Sequence, residues 1–208
     1  MKKILIADKM SVQAEKVFNA NGIGFDKKIG LPEEEICKIV TEYDGIIVRS
    51  ATKITKKIMD AGTNLKVLGR AGIGVDNIDI EAATSKGIVV MNTPFGNMIT
   101  TAEHAIAMMF AVARQIPEAN TSTQAGKWEK SRFMGVELTN KTVGVIGAGN
   151  IGGVFCERAR SLKMKVVAYD PYLSDEKAKN LSIEKVDLDR LFHRADFITL
   201  HVPLTEQT

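Results

Sequence analysis

A chain of 208 residues, 45% hydrophobic and 25% charged, has the make-up of one large or two small globular domains. Its net charge of +3 is too small and too dispersed to argue for a nucleic-acid partner, and it fits a small anionic molecule equally well. Cys37 and Cys156 stand far apart with no C-x-x-C or histidine-rich context, so neither a disulfide frame nor a metal site is expected.

The opening MKKILIADKM imitates a signal peptide, but the apolar run Ile4 to Ala7 ends at Asp8 and reads as a first strand. No other run reaches membrane-spanning length, so the chain reads as cytoplasmic, with no membrane partner. Ser11 is an N-cap for a helix from Val12 to about Ala20, stopped by Asn21-Gly22. A weak strand over Gly24 to Lys27 follows. Leu31-Pro32-Glu33-Glu34-Glu35 then starts a helix running to about Glu42, with proline in its first turn and acids at the positive end of its dipole. Gly45 to Val48 is a buried strand ending at Arg49 and Ser50. Thr55 to Ala61 is helical, Val67 to Arg70 is a strand followed by Gly72 and Gly74, Asp79 to Ser85 is a helix stopped by Gly87, and Ile88 to Met91 is a strand. Strands alternating with helices predict a parallel α/β sheet, whose ligands gather at strand C-termini. Arg49 is then either a surface arginine or a bidentate clamp for carboxylate or phosphate.

Beyond Pro94 the pattern changes. Thr100 and Glu103 have capping-box spacing, and Ala102 to Ala113 is apolar nearly all round, interrupted by His104. A helix without a polar face must be covered on all sides, by a second domain or a second subunit. Pro117 limits it, and Thr121 to Trp128 leads toward NKTVGVIGAGNIGGVFCERARSLKMKVVAYD, residues 140–170. Here a strand, Thr142 to Ile146, runs into Gly147, Gly149 and Gly152, spaced G-x-G-x-x-G. A helix from Ile151 to about Leu162 and a strand from Val166 to Tyr169 lead to Asp170.

This is a βαβ unit with a dinucleotide fingerprint. Gly147 permits the tight turn, Gly149 lets a pyrophosphate approach the backbone, and Gly152 lets the helix pack close. The helix N-terminus offers N–H groups to phosphate, and Asp170 can accept ribose hydroxyls. Leu173 to Leu181 and Leu188 to Phe192 are helical, and Phe197 to His201 is a third strand before Val202-Pro203. Three strands make the first half of a doubly wound sheet, so the chain reads as a fragment of a longer protein. His201, beside the expected cofactor, reads as structural rather than as an acid–base group. His104 reads as a hydrogen-bonded interface residue and His193 as solvated.

Four stretches carry a resemblance: GRAGIGVD ending at Asp76, NTPFGN ending at Asn97, Trp128 with Phe133-Met134-Gly135, and the fingerprint closing on Tyr169-Asp170-Pro171. In them the chain resembles the D-isomer-specific 2-hydroxyacid dehydrogenases. VRSATKIT over 48–55 and GKWEKSRFMG over 126–135 look most like the members acting on 3-phosphoglycerate. The resemblance implies an α/β chain with a flavodoxin-like N-terminal substrate domain over residues 1–97. The first half of a Rossmann doubly wound parallel sheet, truncated, follows over 98–208. It implies NAD as cofactor and a small anionic substrate, 3-phosphoglycerate.

By the same resemblance Arg49, Ser50, the backbone at Gly72 to Gly74, and Asn97 would meet substrate. Gly147, Gly149, Asn150, Ile151, Gly152, Asp170, Val202 and Pro203 would meet cofactor. A homodimer, or a higher homo-oligomer, would form through Thr100–Arg114 and the arm after it. The family's catalytic Arg, Glu and His lie beyond the third strand, so this fragment is expected to be inactive alone. Two other readings stay open: another D-2-hydroxyacid dehydrogenase, such as a glyoxylate or hydroxypyruvate reductase, and a non-catalytic NAD-sensing module of the corepressor type.

Overall fold

The computed structural model describes residues 2–203, and the chain divides into two compact units, Met1–Gly96 and Asn97–Thr208. In the first, five strands alternate with helices: β1 (Lys3–Ile6), α1 (Val12–Ala20), β2 (Gly24–Lys27), α2 (Glu33–Ile39), β3 (Gly45–Val48), α3 (Lys56–Ala61), β4 (Val67–Arg70), α4 (Ile80–Ser85) and β5 (Val89–Asn92). All pair in parallel in the order β2-β1-β3-β4-β5, the flavodoxin-like arrangement. Leu5, Ile46 and Leu68 of the sheet pack with Ile36, Ile58 and Met59 of the helices in one core. Tyr43, fully buried, donates its hydroxyl to Asp26 at 2.7 Å. Thr55 and Asp79 cap their helices, each accepting a backbone N–H from the first turn.

The second unit holds α5 (Met98–Arg114), α6 (Ile116–Gln124), β6 (Thr142–Ile146), α7 (Asn150–Ser161), β7 (Lys165–Tyr169), α8 (Asp175–Leu181), β8 (Glu184–Lys185), α9 (Leu188–Arg194) and β9 (Phe197–Leu200). Its parallel sheet has the order β8-β7-β6-β9. This corrects the strand count. Phe197–Leu200 is the fourth strand, and β8 is the third, a two-residue element of exposed charged residues with no apolar run to announce it. The order matches the start of a Rossmann sheet, with β9 on the far side of β6 from β7.

Two further expectations change here. The first helix starts at Met98, ahead of the Thr100–Glu103 spacing, so no capping box forms and Glu103 instead pairs with Arg158 of α7 at 2.5 Å. Pro117 opens a second helix rather than ending the first. The chain breaks at Gln115, whose φ of 50° is left-handed, and Pro117 then sits in the first turn of α6. Within α5 only Ala102, Met109 and Ala113 are buried, packed with Val143, Phe155 and Ala159, while Met108 and Val112 are 52% and 68% exposed. Among the described residues no helix is long and apolar enough to cross a membrane.

Candidate cofactor and anion-binding sites

β6 runs straight into the glycine loop. Gly147 has φ +91°, and a side chain there would lie 2.6 Å from the His201 carbonyl oxygen and 2.7 Å from Val202 Cγ1. Only glycine tolerates both the backbone and the approach of β9. Gly152, in the first turn of α7, is held closer still: an added Cβ would sit 2.0 Å from the Gly147 carbonyl oxygen. Gly149 is the opposite case, since a Cβ there would meet nothing within 4 Å. The loop is therefore packed on its inner side and open at Gly149, where a backbone-hugging ligand has room. Asn150 and Ile151 are the first helical residues, exposed and half-buried respectively.

Asp170, one residue past β7, closes the arrangement. Its Oδ2 accepts the Ala148 N–H at 2.9 Å, and its Oδ1 accepts the Tyr172 N–H at 2.8 Å. The Leu173 N–H donates to the Asp170 carbonyl at 3.1 Å, so Asp-Pro-Tyr-Leu is a β-turn with proline at its second position, anchored by the buried Leu173. Each carboxylate oxygen keeps a second lone pair for a ligand. Val202, half-buried, lies beside Gly147, and the exposed Pro203 follows it.

The structure thus brings the glycines, the α7 N-terminus, Asp170 and Val202 to the C-terminal edge where β6 parts β7 from β9. That is the switch point at which doubly wound sheets bind nucleotides. Open backbone at Gly149, the end of a three-turn helix and a carboxylate fit a pyrophosphate joined to a ribose.

His201 lies one residue past β9. Its ring packs on Phe155 with centroids 5.4 Å apart, its Nε2 is 3.1 Å from Thr199 Oγ1, and burial pushes its pKa down. His104, expected to be hydrogen-bonded at an interface, is exposed on α5, and His193 is exposed as expected. Among the described residues no cluster of His, Cys, Asp or Glu could hold a metal ion.

In the first unit Arg49 and Ser50 are exposed at the end of β3, beside Gly72 and Gly74 after β4. The glycines make room for Arg70, because a Cβ on Gly72 would collide with its guanidinium. The Arg70 side chain is 13% exposed, with Nη2 3.7 Å from Asp76. Gly72 spends its N–H on the Arg70 carbonyl at 2.9 Å and its own carbonyl on the Thr93 N–H at 3.0 Å. Asn97 stands apart from this group in sequence order: it opens the second unit, just ahead of α5, and accepts the Thr101 N–H at its carbonyl.

Two residues that the sequence reading passed over hold the Arg49 segment. Asp8, 3% exposed at the end of β1, accepts the Arg49 N–H at 2.6 Å, the Thr52 N–H at 3.2 Å and the Thr52 hydroxyl at 2.6 Å. Burial alone would raise the Asp8 pKa, but these bonds together outweigh it and hold the carboxyl below its usual range. Asn77, 7% exposed, donates both amide hydrogens, to the Arg49 carbonyl at 2.7 Å and the Thr52 carbonyl at 2.6 Å. The one available signal was a carboxylate closing an apolar strand at the ligand end of the sheet.

Comparison with known proteins agrees with this geometry. Residues 106–208 match the family described as D-isomer specific 2-hydroxyacid dehydrogenase, NAD binding domain. The chain is 49% identical over 206 residues to the D-3-phosphoglycerate dehydrogenase of Archaeoglobus fulgidus, covering 99% of this chain and 39% of that one. It is 51% identical over 208 residues to the D-3-phosphoglycerate dehydrogenase of Synechocystis, covering 100% of this chain and 37% of the other. The crystal structure of the TT0316 protein of Thermus thermophilus superposes with a TM-score of 0.89 at 30% identity, covering 99% of this chain and 66% of that one. The chain spans about two fifths of the length of these curated relatives. With its glycine loop, its acid-terminated second strand and this likeness from end to end, the chain belongs to the D-isomer-specific 2-hydroxyacid dehydrogenase family, and residues 106–208 match that family's NAD-binding domain.

Proposed function

We propose that this chain supplies the NAD pocket and the anion-binding residues of an enzyme that oxidises 3-phospho-D-glycerate to 3-phosphohydroxypyruvate, the first step of serine biosynthesis. The observation that carries the reading is the 49% and 51% identity, over essentially the whole chain, to two D-3-phosphoglycerate dehydrogenases. NAD accepts the hydride. Gly147, Gly149, Asn150, Ile151 and Gly152 take its pyrophosphate, Asp170 a ribose, and Val202 with Pro203 flank it through backbone and apolar contact. Arg49 pairs with the substrate anion, with Ser50 and the backbone at Gly72 to Gly74 beside it. Two copies, or more, pair through Thr100–Arg114 and the arm after it, supported by exposed Met108, Val112 and the 85% exposed Trp128. The enzyme works in the cytoplasm.

The test is NADH formation by the intact dehydrogenase from 3-phosphoglycerate, compared with D-lactate and glycolate. Turnover of 3-phosphoglycerate with NAD is the expected result; preference for an unphosphorylated acid would reject the substrate.

A further inference from the structure

We infer that Asp8 and Asn77 are positioning residues of the anion site, clamping the Arg49–Thr52 segment from opposite sides so that Arg49 and Ser50 meet the substrate in one backbone conformation. The inference rests on reading Arg49 and Ser50 as the anion-binding pair. Its geometry is reciprocal. Asp8 takes the N–H groups of Arg49 and Thr52, and Asn77 takes the carbonyls of the same two residues. Both ends of a four-residue segment are therefore tied at donor and acceptor alike, and the Ala51 backbone between them also faces the Asp8 carboxylate. The two clamping side chains are 3% and 7% exposed, so they act through the segment rather than on the ligand.

The clamp is itself anchored. Asp8 lies two residues past β1, the strand next to β3. The Asn77 carbonyl accepts the Ile54 N–H at 2.8 Å, and Ile54 bridges Ile78 as a parallel pair. Thr52 adds its hydroxyl, which donates to Asp8 Oδ1 at 2.6 Å. A site built this way spends no ordering entropy on the segment when the anion arrives.

Charge and position pull in opposite directions, which makes the inference testable. A carboxylate beneath an anion site repels the anion, so removing it tightens binding if charge is all that matters. Removing a clamp loosens binding. Asparagine can keep the clamp, its carbonyl oxygen facing the two N–H groups and its amide facing the Thr52 hydroxyl, while alanine cannot.

The experiment is titration of 3-phosphoglycerate into the intact dehydrogenase, followed by NMR at the Arg49 and Ser50 amides, with ADP-ribose affinity measured in parallel. Asp8→Ala should weaken 3-phosphoglycerate by about tenfold or more despite the lost repulsion, with Asp8→Asn within about threefold of the unmutated chain. ADP-ribose affinity should stay unchanged in both. Should Asp8→Ala fail to fold, Asn77→Ser, which can donate to only one of the two carbonyls, should by itself weaken the substrate. Equal or tighter substrate binding in the folded clamp variants overturns the inference, as does equal loss of both ligands. Absence of any response at Arg49 and Ser50 in the unmutated chain overturns the anion-site reading and this inference with it.

Discussion

Asp170 accepts the backbone N–H of Ala148 at 2.9 Å, so the acid that follows β7 also holds the glycine loop that follows β6. Its carboxylate is a strut of the glycine loop, and with the ribose contact proposed for it, its loss should act twice. Asp170→Ala should lower NAD affinity by about tenfold or more, the loss of hydrogen bonds to a charged group. It should also narrow a preference for NAD over NADP, since the added phosphate of NADP would meet the proposed ribose acceptor's negative charge. Titration of both cofactors checks this. Unchanged NAD affinity in the variant would remove the strut, and equal affinities in the unmutated protein would remove the preference.

Gly149 and Gly152 separate binding from folding. Gly149→Ala adds a methyl group into open space, so thermal stability should hold while NAD binding falls as the pyrophosphate loses its approach. Gly152→Ala drives Cβ to 2.0 Å from the Gly147 carbonyl and should destabilise the unit by about 1–3 kcal/mol. Calorimetry and cofactor titration on both variants read the two effects apart. Equal stability losses would contradict the open face at Gly149.

Acid should loosen the anion site through Asp8. Its folded-state pKa lies below the ordinary 3.8, so its stabilising contribution is complete above that value and fades as pH falls through the lower, folded-state pKa. Its partners are the Arg49, Ala51 and Thr52 backbone and the Thr52 hydroxyl, while the Arg49 guanidinium donates to the Lys9 carbonyl at 3.4 Å. Denaturant unfolding of the unmutated chain and Asp8→Asn should show the stability gap between them narrowing below pH 3.8 and constant above about pH 5. A gap independent of pH would mean that the charge of Asp8 contributes nothing.

Substitution of Arg49 tests the substrate contact. In the intact dehydrogenase Arg49→Ala should raise KM for 3-phosphoglycerate by about tenfold to a hundredfold, the worth of a charge-assisted contact, and leave NAD binding alone. An unchanged KM would reject the assignment.

The exposed face of α5 offers a test of assembly. Met109 is buried in its own unit, so a charge there would unfold the unit and report nothing about subunits. Met108→Glu and Val112→Glu place the charge on exposed apolar positions and should give soluble, folded monomers. Sedimentation of the unmutated protein as a monomer at all concentrations would reject the interface.

How much the sequence carried differs between the two units. The five strands of the first unit and the strand–glycine–helix–strand–acid run of the second were legible because each rests on local chemistry. Apolar β-branched runs, glycines at required spacing and capping side chains such as Ser11 announce themselves within a few residues. The α6 helix was missed because Gln115 adopts a left-handed conformation that no residue type nearby demands, and Pro117 then reads as a stop instead of a start. β8 was missed because two exposed charged residues carry no periodicity, and it took the sheet order to make β9 the fourth strand. The tertiary structure alone decided the roles of Asp8 and Asn77. Each lies 25 residues or more from one end of the segment it holds, so no local pattern could join them. Parallel strands bring such distant loops to one edge of the sheet, and there a buried carboxylate and a buried amide acquire their partners.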